Sequence, residues 1–413
     1  MEMKQNFGGK WPHIGDPRLG GIVSSKIKQK RNPPAAQSPW IGCLIRSSRF
    51  GCLEQSWAVL RTRAEGMKRM LRAAGPEVTG NLASTRQSAV VFLDGVDQES
   101  DIASRRNCAA KWTSIGDAHC LFANLSVQRG TLDEAALAWL CALTAFEVAR
   151  RLSDDDDPQR VDVVAKLEAC VEAFGSLDQR LERVEIKLYD QGELSAYYVP
   201  ASTSSSCVPA IVCISREEET AGILLGRLLP LITGRNMAVL VVSYDDVSSH
   251  WLGLSEILLS CCLDHLSTLP EIDASRMAIY GDGLSAALAT NFAATDRRVS
   301  AAICDGGLWS WTRTRSSIEW MSRTAETPDD GLSSTQRSRL ARKLRCPILV
   351  VAGECSIVNA SEAIKLEADC ASASIDLELL IPRTPEGAFE NFMACDEAAF
   401  EWLERKFERA PAS

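Results

Sequence analysis

Arg276-Met-Ala-Ile-Tyr-Gly281-Asp282-Gly283-Leu284-Ser285-Ala286 is the stretch on which the fold turns. Met277–Tyr280 is a short apolar run, the pattern of a strand buried on both faces. Gly281 and Gly283 interrupt it, and the residues from Leu284 on suit a helix. Small residues at Gly281, Gly283, Ser285 and Ala286 let that helix return close against its own strand. The stretch reads as strand, tight turn and helix start.

Outward from it, short apolar strands recur at 210–214, 237–242, 299–304, 347–352 and 375–381. Helical patterns separate most of them, at 220–232, 252–266, 284–294, 360–371 and 396–407. Two earlier runs, 184–188 and 194–199, flank the polar turn Asp190-Gln191-Gly192, which marks a hairpin. An antiparallel start followed by alternating strands and helices predicts an α/β fold, a mostly parallel, doubly wound sheet. The stretch between strands at about 309–344 is too long for a simple connection and is expected to be an insertion over the carboxyl ends of the strands.

Before the sheet the period is helical. Ala136, Trp139, Leu140, Leu143 and Phe146 recur at three- and four-residue spacing. Helices are also expected over 103–125 and 161–174, the latter following the charged run Asp154–Asp157 and Pro158. The expected organisation is a basic extension over 1–50, a helical domain over 51–182 and an α/β domain over 183–413.

The turn resembles the nucleophile elbow of the α/β-hydrolase superfamily, normally G-x-S-x-G. The runs 236–242 and 345–354 resemble two further strands of that superfamily. The helical part, with Gly116-Asp117 and 136–152, is similar to the FrsA-like esterase and 2,6-dihydroxypseudooxynicotine hydrolase group, which includes an enzyme that cleaves a carbon–carbon bond in a small aryl ketone. The resemblance spans about 100–410 and implies an α/β-hydrolase fold preceded by helices.

It also implies where a catalytic triad should lie, and there the chain departs. Gly283 stands in the nucleophile slot. The acid loop reads Glu354-Cys355-Ser356, with Ser356 in a vestigial acid slot. Phe389 stands near the place of the catalytic histidine. The histidines are His13, His119, His250 and His265, none beyond 265. Acyl transfer needs nucleophile, base and acid together, so serine hydrolysis is not expected. Backbone donors do not depend on the residue at 283, and the resemblance implies an oxyanion hole from Leu284 and Ser215.

Several side chains are candidates at the same face. His250 is placed to act as a base with Asp246 to orient it; the bland alternative is a surface histidine at a helix start. Asp282 either contacts substrate or caps the helix. Arg216 with Glu217-Glu218-Glu219 either binds a polar substrate or is a solvated helix start. Ser285 and Trp309 are expected to line the pocket, with Ser285 otherwise a packing residue and Trp309 otherwise part of an ordinary core.

The 413 residues are 46% hydrophobic and 24% charged, ordinary values for a globular chain. Residues 1–50 carry nine Lys/Arg against Glu2 and Asp16, so the net charge of −9 leaves the rest at −16. That excludes nucleic acid as the expected partner of the main body. The fifteen cysteines contain no C-x-x-C pair, which predicts reduced thiols and no metal site. No leader-like apolar segment or eighteen-residue apolar run occurs, so a cytoplasmic protein without a membrane span is expected. No cofactor is expected; the expected partner is a small-molecule ligand, with a homodimer left open. Three functional readings stand: an enzyme acting on a small carbonyl or aromatic compound by non-serine chemistry, a catalytically inactive relative that binds a ligand or partner protein, and a partner-binding protein acting through its basic N-terminal arm.

Overall fold

In a computed structural model of the chain, residues 81–96, 102–154, 156–177, 181–188, 192–202, 207–248, 254–305, 343–352, 364, 367–368, 370–372, 374–382 and 391–409 are described. Among the described residues four helices precede the sheet: α1 (Leu82–Asp94), α2 (Ile102–Arg129), α3 (Leu132–Leu152) and α4 (Pro158–Gly175). Their ends follow from local chemistry. Asn81 accepts the Ala83 N–H at 3.0 Å to cap α1, and Asp157 accepts the Gln159 N–H at 2.9 Å ahead of Pro158 in α4. The helix expected over 103–125 is longer at both ends, and α1 is an addition to the sequence reading.

An eight-stranded sheet follows, formed by β1 (Glu182–Lys187), β2 (Glu193–Val199), β3 (Val208–Ile214), β4 (Ala238–Val242), β5 (Ile272–Asp282), β6 (Val299–Asp305), β7 (Ile348–Val351) and β8 (Leu377–Leu380). Its order is β1-β2-β4-β3-β5-β6-β7-β8. β1 and β2 form the expected antiparallel hairpin, and β2 pairs antiparallel with β4. Every later pairing is parallel, with Ile211 opposite both Val239 and Ala278, and Ile303 opposite Leu349. Interleaved with the strands or following them are α5 (Ala221–Ile232), α6 (Tyr244–Val247), α7 (Leu254–Thr268), α8 (Ser285–Thr295) and α9 (Phe392–Arg409), and residues 364, 367–368 and 370–372, between β7 and β8, are also helical.

The two-residue period of each strand sorts its side chains between two cores. Ile211, Cys213, Ala278 and Tyr280 join Phe146, Phe174, Leu228, Phe400 and Trp402 on one face. Val212, Ile214, Met277 and Ile279 join Leu259, Leu263 and Phe292 on the other. Burial on both faces is why the central strands read as unbroken apolar runs. Among the described residues, no helix is long and apolar enough to cross a membrane.

Candidate functional site

The β5–α8 turn is held by backbone. Gly283 has φ +64°, and its N–H donates to the Asp305 carbonyl at the end of β6, 2.8 Å away. Ser285 sits under this turn and is fully buried. Its Oγ accepts the Asp282 N–H at 2.8 Å, and its hydroxyl faces the carbonyls of Asp282 at 2.7 Å and Ile214 at 3.1 Å. Ser285 therefore ties β3, β5 and α8 together. The expectation that it lines a pocket is corrected: its oxygen is spent on main-chain groups.

Two residues from the loop after β3 cover the turn. Glu217 Oε2 accepts the Leu284 N–H at 3.2 Å. A Cβ built on Gly283 would lie 2.8 Å from that same oxygen, 3.1 Å from Arg216 Cγ and 3.4 Å from Arg216 Nε. The space above Gly283 is thus filled by the chain's own carboxylate and guanidinium. The second expected oxyanion donor is also committed, because the Ser215 N–H donates to the Val242 carbonyl at 3.0 Å. Ser215 Oγ instead braces the loop, donating to Glu219 O at 2.6 Å and accepting the Tyr244 N–H at 3.0 Å.

Asp282 is 1% exposed and neither caps α8 nor faces open space. Arg216 Nη2 donates to its Oδ1 at 2.7 Å and Arg227 Nη1 to its Oδ2 at 2.8 Å. Burial alone would raise its pKa, but the Arg227 and Arg216 guanidiniums outweigh that and hold it far below the usual carboxylate range. A role as a titrating acid–base group near neutrality does not fit this pairing.

Arg227 is the hub of a buried polar network that sequence reasoning missed. It also donates to the Tyr280 hydroxyl at 2.5 Å and lies 3.5 Å from Asp396 of α9. Beside it, Arg150 of α3 makes a two-point contact with Glu147 at 2.7 and 2.8 Å and meets Glu219 at 2.7 Å. Glu219 is therefore a buried ion-pair partner, not part of a solvated helix start. The available signal was a lone arginine in the apolar run Ala221–Ile232 and charges on the buried face of α3.

The network contains more carboxyls than its cations can balance. Burial, reinforced by the neighbouring Asp282, raises Asp305 to about 8. Burial likewise lifts Asp396 to about 6. Asp305 keeps its proton in the folded chain where the unfolded chain, with an ordinary value of 3.8, has lost it. Its contribution to stability is therefore full below about pH 4 and falls as pH rises towards about 8. Glu147, which Arg150 and Arg151 pull down to about 2 against the effect of burial, acts oppositely and loses stability as the solution is acidified. Urea midpoints should fall between about pH 6.5 and pH 8, above the range in which buried His119, lowered to about 4, adds stability as pH rises, and Asp305→Asn should flatten that limb. An unchanged slope in the variant would remove Asp305 from this account.

Gly283→Ala offers a local test. The left-handed backbone and the contacts with Glu217 and Arg216 should together cost about 1–2 kcal/mol, read from the urea midpoint. The cost is modest because the Glu217 carboxylate ends a side chain that can swing away.

Asp246, on α6, lies elsewhere. It borders a cleft of about 480 Å³ with Glu168, Glu172, Arg183, Tyr197 and Thr220, a lining that includes none of the residues at the turn. Burial and Asp245 raise its pKa. The structure thus brings Asp282, Gly283, Leu284, Ser285, Ser215 and Arg216 together and leaves Asp246 out of that group. His250, Trp309, Ser356 and Phe389 lie outside the described residues.

No protein-family model and no curated protein matches the chain. Among solved structures it is similar to 2,6-dihydroxy-pseudo-oxynicotine hydrolase, with 19% identity over 76% of this chain and 94% of that one, at a TM-score of 0.52. The chain has an α/β-hydrolase fold. AbyA5 is 17% identical over 74% of this chain and 90% of its own, at a TM-score of 0.48. An acylaminoacyl peptidase from Pyrococcus horikoshii is 14% identical over 59% of this chain and 44% of its own, at a TM-score of 0.45. At 19% identity the first of these likenesses is one of fold alone.

Proposed function

We propose that this chain is a catalytically silent member of the FrsA-like and 2,6-dihydroxypseudooxynicotine hydrolase group that binds a small-molecule ligand. The observation that carries the reading is Glu217. In an α/β-hydrolase the N–H following the nucleophile receives the developing oxyanion. The corresponding N–H here, that of Leu284, is bonded to the Glu217 carboxylate at 3.2 Å.

Three further features support it. Gly283 offers no attacking atom at the apex of the elbow. Ser285, the nearest hydroxyl in sequence, is buried and saturated by backbone. His119 is buried in α2, where desolvation lowers it to about 4, and no histidine follows position 265. A binding role draws on the cleft of about 480 Å³ beside Asp246.

A second reading, non-serine chemistry on a small carbonyl or aromatic compound, is favoured by Asp305. A carboxyl that is protonated at neutral pH can donate a hydrogen bond or a proton to a developing oxyanion. The two readings separate in one assay of the wild-type chain and Glu217→Ala with activated aryl esters and small diketones. The silent reading expects both to stay at the uncatalysed rate. Turnover by the wild type, or turnover that appears once Glu217 is removed, would contradict it and favour the second.

A further inference from the structure

The helical layer carries a pair of thiols that the proposed function does not use. Cys120 of α2 and Cys170 of α4 lie with their sulfurs 3.2 Å apart, although 50 positions separate them in the chain. The two helices run in the same direction, and one turn earlier Lys166 Nζ meets Asp117 Oδ2 at 2.9 Å. That ion pair sets the same register that brings the sulfurs together. The two thiols differ in access, since Cys120 is half-buried and Cys170 is 2% exposed.

We propose that Cys120 and Cys170 form a reversible dithiol–disulfide site that reacts with low-molecular-weight disulfides of the glutathione type. The step is thiol exchange. Cys120, the accessible sulfur, loses its proton and attacks one sulfur of the small disulfide, releasing one small thiol and forming a mixed disulfide. Cys170 then loses its proton and attacks the Cys120 sulfur, releasing the second small thiol. Two protein thiols and one small disulfide become one protein disulfide and two small thiols, so the small disulfide is reduced by the two electrons the protein gives up. Closing the bond requires the sulfurs to approach from 3.2 Å to about 2 Å. Burial raises the Cys170 thiol well above its ordinary value, which leaves half-buried Cys120 as the sulfur that meets the small disulfide first. A reducing compartment keeps the pair open, and oxidation of the small-thiol pool closes it.

The inference is independent of the ligand-binding reading and is tested on the full-length reduced chain. After incubation with oxidised glutathione and blocking of the remaining thiols, peptide mapping should find Cys120 linked to Cys170. Dithiothreitol should reverse the link, and the thermal midpoint of the linked form should rise by about 5 °C. Cys170→Ala should hold glutathione on Cys120, and Cys120→Ser should give no linked peptide and no thermal shift. Exposed Cys207 serves as the internal control for reaction with the reagent. The proposal is overturned if Cys207 is fully converted to its mixed disulfide while Cys120 and Cys170 are both recovered as free thiols. It is equally overturned if wild-type Cys120 keeps a glutathione adduct without passing it to Cys170.

Discussion

Arg227→Met should unfold the chain more readily by about 3–5 kcal/mol, the usual result of removing one partner from a buried ionic group. The side chain is 3% exposed and serves three partners: the Asp282 carboxylate at 2.8 Å, the Tyr280 hydroxyl at 2.5 Å and Asp396 at 3.5 Å. Methionine fills much of the volume but carries no charge. Asp282 would then keep Arg216 as its hydrogen-bonded cation, and Asp396 would lose its ion pair with Arg227. Arg216→Met removes the other guanidinium from Asp282, yet Arg216 is 39% exposed and water can enter in its place. Its cost should be clearly smaller. Urea denaturation of both variants at neutral pH reads the difference directly. Equal losses would mean that the network is not centred on Arg227.

Gly281→Ala should cost about 3 kcal/mol or more, for a reason unrelated to charge. A Cβ at this position would lie 2.3 Å from the Ser285 carbonyl oxygen, 2.5 Å from its carbon and 2.7 Å from the Ala286 nitrogen. All three atoms are main chain in the first turn of α8, so no rotamer change relieves the overlap. The helix would have to lift off β5, breaking the contacts Ser285 makes to Ile214 and Asp282. Gly226→Ala is the control. Its Cβ would meet Leu167 Cδ2 at 2.4 Å and Cγ at 3.0 Å, side-chain atoms of a buried residue that have more room to shift than the main chain of α8. Thermal midpoints of the two variants should differ by several degrees, with Gly281→Ala lower, and the reverse order would contradict the close-packing argument.

The contrast between these residues explains what could be read from the sequence. Gly281, Gly283 and the apolar run before them announce a strand–turn–helix because the constraint is local. The alternation of apolar strands with helices likewise announces a parallel sheet, and 184–199 announces the hairpin that precedes it. α1 escaped because its buried stripe is Thr85, Ala89 and Leu93, of which only leucine is a strong apolar marker. The site was less legible because its contacts are long-range. Arg216 and Asp282 are 66 positions apart, and Glu217 and Leu284 are 67 apart. Nothing in the local pattern around Glu217 says that its carboxylate returns to the elbow. Ser215 was expected as a donor from its place after β3, but the same place lets its N–H extend the pairing to Val242.

The proposed silence depends on Gly283 at the β5–α8 turn and on a Leu284 N–H already bonded to Glu217. The most direct test is labelling of the native chain with a fluorophosphonate, followed by peptide mapping. The expected result is no adduct on any serine under conditions that label an active serine hydrolase completely. Stoichiometric modification of one serine, at Ser285, Ser356 or elsewhere, that is lost on denaturation would contradict the account.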